Sequence, residues 1–344
     1  MNFAKPELLA PAGDYTRFRY AVEYGADAVY VGGEEFSLRT AVANFPRADL
    51  ARAVDYAHRR NVRVYVACNT VPRNDEIERF SDYLQFLKKI EVDALIVSDL
   101  GLFMMIRDEC PEMELHVSTQ ANISNYADCL AWYRLGAKRV VLARELTFDE
   151  ITQIRLRTPG SLEIEAFVHG AMCVSHSGRC LLSNFMTGRD ANRGNCAQAC
   201  RWKYNLVEEK RPGQYMPVEE TDTGTFIFNS KDLCMIDHVP DLISAGITSF
   251  KSEGRVKTEY YVACVVAAYR RAIDACFSDL GEYERILPEL REEVCKVSHR
   301  PYFTGFYYGD QKSESMNFNE SGYIRDYEVS GIVTGYDYVR GCVV

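Results

Sequence analysis

The sequence predicts an α/β protein of the TIM-like (β/α)8 barrel class, with a cysteine-rich insertion and the start of a small C-terminal β module. Along residues 1–170, short apolar or β-branched runs alternate with amphipathic helical stretches, the pattern of a parallel sheet wrapped by helices. The same grammar returns later in the chain, in LISAGITSFKSEGR. A GxGxxG dinucleotide loop, which would favour an open doubly wound sheet, does not occur in the sequence, so the closed barrel is the preferred architecture.

The elements follow in order. Strands are expected at 7–10, 28–31, 62–67, 94–97, 114–118, 139–142 and 163–168, with helices in the gaps. AVEYGADAVYVGG shows the repeating unit: an apolar helix face ending at Tyr24, a glycine at the helix end, and a strand finishing on Gly32 and Gly33. Further on, 242–245 closes a helix, Gly246 caps it, 247–251 forms another strand, and a long helix covers about 257–276. A run at 225–229 belongs either to the barrel or to the insertion, which makes eight or nine strands in all. The barrel is therefore assigned to 1–290, with the insertion at about 170–224. Residues 291–344 form an extension, Gly- and Tyr-rich from residue 323, that reads as a partial β module. More than fifty residues of insertion far exceed an ordinary βα loop, and loops of that size usually carry function.

With 344 residues and 47% apolar content, the chain can bury one large core and still carry a small module. It opens MNFAKPELLAPAG, without a charged or apolar leader, and holds no stretch of bilayer length, so a cytoplasmic protein with no membrane partner is expected. A net charge of −9 gives no blanket attraction to nucleic acid. Residues 171–205 run the other way: Arg179, Arg189, Arg193, Arg201 and Lys203 stand against the single acid Asp190. Phe185, Trp202 and Tyr204 lie among them, suited either to stacking bases beside neutralised phosphates or to packing the insertion on the barrel.

The same insertion gathers Cys173, Cys180, Cys196 and Cys200 in the spacing C-x6-C, fifteen residues, C-x3-C. In a reducing compartment such a cluster is more often metal-binding or catalytic than disulfide-bonded. The spacing differs from the tight knuckles of zinc ribbons, and both zinc and a [4Fe–4S] cluster remain open as occupants. His169, four residues before Cys173, offers a Cys–His nucleophilic pair for peptide hydrolysis, but no orienting third group, GxSxG elbow or HExxH helix accompanies it. The other eight cysteines sit singly among apolar runs and read as small core hydrophobes.

In a βα barrel the carboxyl ends of the strands converge on one mouth. Polar residues occupy those ends here: Asn69, Asp99, Gln120, Arg144, His169, Glu253 and Arg255. Arg144, Lys251 and Arg255 would give the mouth a cationic lining for carboxylate or phosphate, with Asn69 and Gln120 as further substrate contacts. Glu253 and His169 are the proton-transfer candidates for catalysis.

EAFVHGAMCVSHSGRCLLS, RGNCAQACRW, NSKDL and KSEGR, together with PAG at Pro11 to Gly13 and GGEEFSLR at Gly32 to Arg39, resemble the collagenase-like U32 peptidase family over about residues 5–310. Despite the family's name, the resemblance implies an RNA-modifying or hydroxylating protein with an iron–sulfur cluster held by four cysteines. The C-x3-C pair followed by Arg201 and Trp202 looks most like the branch that forms 5-hydroxyuridine at the tRNA wobble position. That branch implies tRNA as partner, the dicarboxylate prephenate as co-substrate, and a homologous partner subunit. On this resemblance Cys173, Cys180, Cys196 and Cys200 are the ligands, Cys234 is the reserve ligand, and Arg193, Arg201 and Lys203 meet RNA phosphate. The alternatives are a collagenase-like peptidase using Cys173 and His169 or a bound metal, and a metal-stapled module that binds RNA or recruits a modifying enzyme.

Overall fold

The computed structural model describes residues 4–38, 44–173, 175–176, 179–202, 220–221, 224–225, 230–309, 323–329, 331, 333, 336–337 and 342–343. Strands β1 (Glu7–Pro11), β2 (Ala28–Gly32), β3 (Arg63–Cys68), β4 (Ala94–Val97), β5 (Glu114–Val117), β6 (Arg139–Val141) and β7 (Glu163–Ala171) lie side by side in sequence order, all parallel. The ribbon β8 (Glu220–Thr221) and β9 (Gly224–Thr225) and the short β10 (Asp232–Cys234) intervene before β11 (Ser249–Ser252). β11 pairs in parallel with β7 on one side and β1 on the other, which closes the eight-stranded ring. The fold is the TIM-like barrel that the alternating pattern predicts. Every residue of β2 is buried, as a strand covered on both faces requires.

Helices α1 (Tyr15–Glu23), α2 (Arg47–His58), α3 (Asn74–Ile77), α4 (Phe80–Lys89), α5 (Leu100–Glu109), α6 (Tyr126–Leu135) and α7 (Phe148–Leu156) fill the crossovers. α8 (Leu182–Thr187) lies in the insertion, and α9 (Val239–Ser244), α10 (Glu259–Ser278) and α11 (Leu280–Cys295) follow. Local signals set their ends. Asp14 caps α1 by accepting from the Arg17 amide at 2.8 Å, and Thr147 with Glu150 forms a capping box on α7. Gly25 and Gly246 take φ of +104° and +82° in the turns after α1 and α9, the left-handed exits expected of glycine there.

Three features depart from the sequence expectations. The strand expected at 163–168 runs on to Ala171, and β10 pairs antiparallel with its upper end, Cys234 opposite His169 and Asp232 opposite Ala171. Of the expected strand 225–229, Thr225 joins β9 in the insertion, and 226–229 lie outside the described residues. The 290/291 boundary falls inside α11. Beyond α11, β12 (Tyr302–Phe303) pairs with β10, and Arg300 is fully buried against Asp232 at 2.6 Å, so this stretch packs with the barrel. Farther on, β13 (Tyr336–Asp337) and β14 (Cys342–Val343) form an antiparallel pair.

The floor of the barrel is ionic. Arg139 on β6 reaches Glu7 of β1 at 2.5 Å, and Glu163 and Glu165 of β7 at 2.6 and 3.1 Å. Lys251 of β11 joins Glu165 at 2.7 Å, and Tyr65 donates to Glu7 at 2.5 Å. Burial alone would raise the Glu7 carboxyl, but the Arg139 guanidinium outweighs it and holds Glu7 at about 2. Burial opposes ionisation of Glu165 as well, and Lys251 and Arg139 keep it below the ordinary carboxylate range. Above this layer Leu9, Tyr30, Ala94 and Ile96 form a small apolar plug.

Candidate active site at the barrel mouth

β7 and β10 act as a two-stranded stem that carries the insertion out from the barrel and brings it back. Backbone and side-chain bonds then tie the insertion over the mouth. The Val71 amide donates to the Asn192 carbonyl at 3.3 Å, Arg179 Nε donates to the Gln120 carbonyl at 2.7 Å, and Arg193 pairs with Glu76 at 2.9 Å. Between roof and mouth lies a cavity of about 530 Å³ lined by Thr70, Val71, Ser98, Asp99, Arg179, Cys180, Leu181 and Asn192. One thiol of the cysteine cluster therefore shares a cavity with residues that follow β3 and β4.

Several of the expected mouth residues converge. Asn69 Nδ2 stands 3.3 Å from both Ser118 Oγ and Gln120 Oε1, and the Leu38 amide donates to Asn69 Oδ1 at 3.3 Å. Arg144 lays its guanidinium over Phe167, 3.8 Å from the ring centroid, and donates from Nη1 to the Ala171 carbonyl at 3.1 Å. Its Nε is buried without a partner among the described residues. Arg255 Nη1 donates to Ser37 Oγ at 3.0 Å, joining the KSEGR and GGEEFSLR motifs. Glu253, in the same loop, is buried beside β7 and donates its amide to the His169 carbonyl at 2.8 Å.

Two of the named residues sit elsewhere. Lys251 lies in the interior with its ammonium on Glu165, so its charge is compensated below the mouth. His169 is 1% exposed and faces the outer wall: the hydroxyls of Tyr269 and Tyr302 stand 3.4 Å from Nδ1 and Nε2. Burial holds its imidazole at about 3, neutral at physiological pH. The cause is a register shift where Ser252 pairs with His169 directly after Lys251 pairs with Phe167, a bulge that turns the side chain out. Neither of its ring nitrogens is directed to Cys173.

Cys173 and Cys196 are exposed, and Cys180 and Cys200 half-buried. Cys180 Sγ accepts the Leu182 amide, and Cys196 Sγ the Gln198 amide, each at 3.3 Å, the kind of donor that stabilises a thiolate. The donor set suits a metal centre, although among the described residues no three His, Cys, Asp or Glu side chains converge on one point. Cys234, the reserve ligand, is on β10 opposite His169, its thiol pushed up to about 12 by burial. Of the expected RNA contacts, Arg193 is engaged with Glu76, while the Arg201 side chain and Lys203 lie outside the described residues. Phe185 is 87% exposed, so it does not pack the insertion onto the barrel. Thr70, Ser98, Arg179 and Asn192 went unassigned in the sequence as site residues. Their signal is only positional: Thr70 and Ser98 follow strands, and the other two lie in the cysteine segment. Among the described residues no helix is long and apolar enough to cross a membrane.

Fold and site define a (β/α)8 barrel protein whose mouth is roofed by a thiol-bearing module. The family model described as Peptidase family U32 matches residues 13–317, and the chain belongs to that family. It is 40% identical over 333 residues to tRNA hydroxylation protein P1 of Bacillus subtilis, covering 97% of this chain and 78% of that protein. It is 39% identical to tRNA hydroxylation protein P of Escherichia coli, covering 93% and 78%. It is also 39% identical to the 23S rRNA 5-hydroxycytidine C2501 synthase of Escherichia coli, covering 81% of this chain and 41% of that protein.

Proposed function

We propose that this protein is an RNA-hydroxylating enzyme whose substrate is tRNA and whose target is C5 of the wobble uridine. The observation that carries the reading is the 40% identity, across 97% of the chain, to a protein named for tRNA hydroxylation. The site supports it: a cavity at a barrel mouth, a cationic roof and thiols beside both. Cys173, Cys180, Cys196 and Cys200 are the proposed holders of a [4Fe–4S] cluster, with zinc as the alternative metal. Iron in that position would supply redox or Lewis-acid chemistry next to the substrate. Arg144, with a buried donor left over, is the proposed anchor for a carboxylate of prephenate, and Glu253 is the remaining acid–base candidate.

The test is nucleoside mass spectrometry of tRNA from cells lacking the gene, complemented with the wild-type chain or with Cys196→Ala. Uridine heavier by one oxygen is expected with wild type alone, together with iron and sulfide in protein purified without oxygen. Hydroxylated cytidine in rRNA, with tRNA unchanged, would overturn the tRNA assignment. Unmodified RNA of both kinds would overturn the function.

A further inference from the structure

We propose that the cavity under the cysteine module receives a pyrimidine base turned out of an RNA strand, with Phe185 as the platform for a neighbouring base. The inference rests on the RNA reading above and adds where the nucleotide sits and what recognises it.

Thr70 is 5% exposed, lines the cavity, and its Oγ1 has no hydrogen-bond partner among the described residues. A buried hydroxyl left over at a cavity wall calls for a ligand atom. Asp99 uses Oδ1 to cap α5, accepting from the Leu102 amide at 2.9 Å, and keeps Oδ2 as an acceptor. Arg179 commits Nε to the Gln120 carbonyl, and its terminal nitrogens make no hydrogen bond among the described residues. Asn192 is fully engaged with the Cys180 backbone at 3.1 Å through both amide atoms, so it shapes the wall. The groups left for a ligand are one hydroxyl, one carboxylate oxygen and the end of one guanidinium.

That set matches the edge of uracil, a ring N–H between two carbonyls. Asp99 accepts from the N–H, and Thr70 and Arg179 donate to the carbonyls. A dicarboxylate fits poorly, since Asp99 offsets the single cation there. The volume of about 530 Å³ lies within the usual range for small-molecule sites.

A base inside a duplex or stacked loop reaches such a cavity only by leaving its stack, which a protein compensates with surfaces that stack the bases left behind. The roof presents such a surface. Leu181 at the cavity rim is 74% exposed and Phe185 is 87% exposed. Arg179 and Arg189 are exposed on the same positively charged module, the charge a phosphate backbone requires.

The full chain would be tested with an anticodon stem-loop RNA carrying 4-thiouridine at the target position, with crosslinked peptides mapped after irradiation and affinity read by fluorescence anisotropy. Crosslinks are expected in peptides containing Thr70 or Arg179. The double variant Thr70→Val, Asp99→Asn should lower their yield about tenfold. Phe185→Ala should weaken binding about tenfold and Phe185→Tyr should restore it. Circular dichroism would confirm that each variant is folded. Crosslinks mapping elsewhere, or an undiminished yield in the double variant, would overturn the cavity assignment and leave the RNA reading intact. Displacement of the cavity crosslinks by prephenate would overturn it in favour of the acid. Wild-type protein that fails to bind the RNA at all would overturn both.

Discussion

Arg255 and Ser37, 218 residues apart in the chain, meet at 3.0 Å where the ends of β2 and β11 adjoin the mouth. The approach depends on Gly32: a Cβ there would collide with both Arg255 Nη1 and Ser37 Oγ. Glycine at the end of β2 is thus the space into which the guanidinium fits.

Gly32→Ala should therefore displace Arg255 while leaving the barrel closed. The overpacking cost is about 1–3 kcal/mol, visible as a modest fall in the denaturation midpoint. RNA hydroxylation should fall about 100-fold, the order of effect of an ångström-scale misplacement at a site. Unchanged turnover would show that Arg255 has no part in the reaction.

Arg139 touches three carboxylates in the floor, and it is 3% exposed there. Its removal leaves Glu7 and Glu165 buried with lost compensation. Arg139→Ala should destabilise by about 3–5 kcal/mol, read by urea denaturation. A shift below about 1 kcal/mol would mean that water or Lys251 takes over the charge.

The barrel was legible because its buried parallel strands are largely apolar and helix exits such as Gly25 and Gly246 carry glycine. The floor was not, because the charges that open the strands, Glu7, Arg63, Glu114, Arg139 and Glu163, look the same whether they end a strand in water or pair inside the ring. β10 escaped for a related reason: Asp232 in a three-residue strand reads as a turn until Arg300, 68 residues on, neutralises it. His169 illustrates the limit of alternation, since period two places it in the mouth and a single bulge turns it out. At the site, Asn69, Gln120 and Arg144 were readable from their places after strands. Thr70 and Arg179 matter through a cavity that exists only when the insertion folds back.

Acid should destabilise the protein in two stages. His169 titrates at about 3 when folded against an ordinary 6.5, so the unfolded chain binds the extra proton. Its contribution is complete above pH 6.5 and is lost as pH falls towards 3. Glu7, at about 2 against 4.5, contributes above pH 4.5 and loses that contribution as pH falls through 2. Between pH 6.5 and 5, His169 alone should remove about 2 kcal/mol. Urea midpoints at pH 7 and pH 5 in wild type and His169→Gln measure this. The variant should show the smaller drop, and equal drops would place the titrating group elsewhere.

Arg144 offers the clearest separation of co-substrate from RNA. Its guanidinium is held flat on Phe167 and by the Ala171 carbonyl, yet Nε remains a buried donor without an acceptor among the described residues. A carboxylate arriving at that edge would supply the acceptor, and a charged hydrogen bond of this kind contributes about 1.5–3 kcal/mol. Arg144→Lys keeps the charge and loses the fixed planar fork. The KM for prephenate should rise about 10- to 100-fold in the variant, with RNA affinity by anisotropy unchanged. A loss of RNA affinity with an unaltered KM would instead place Arg144 against a phosphate of the nucleic acid, and the acid would have to bind at another part of the mouth.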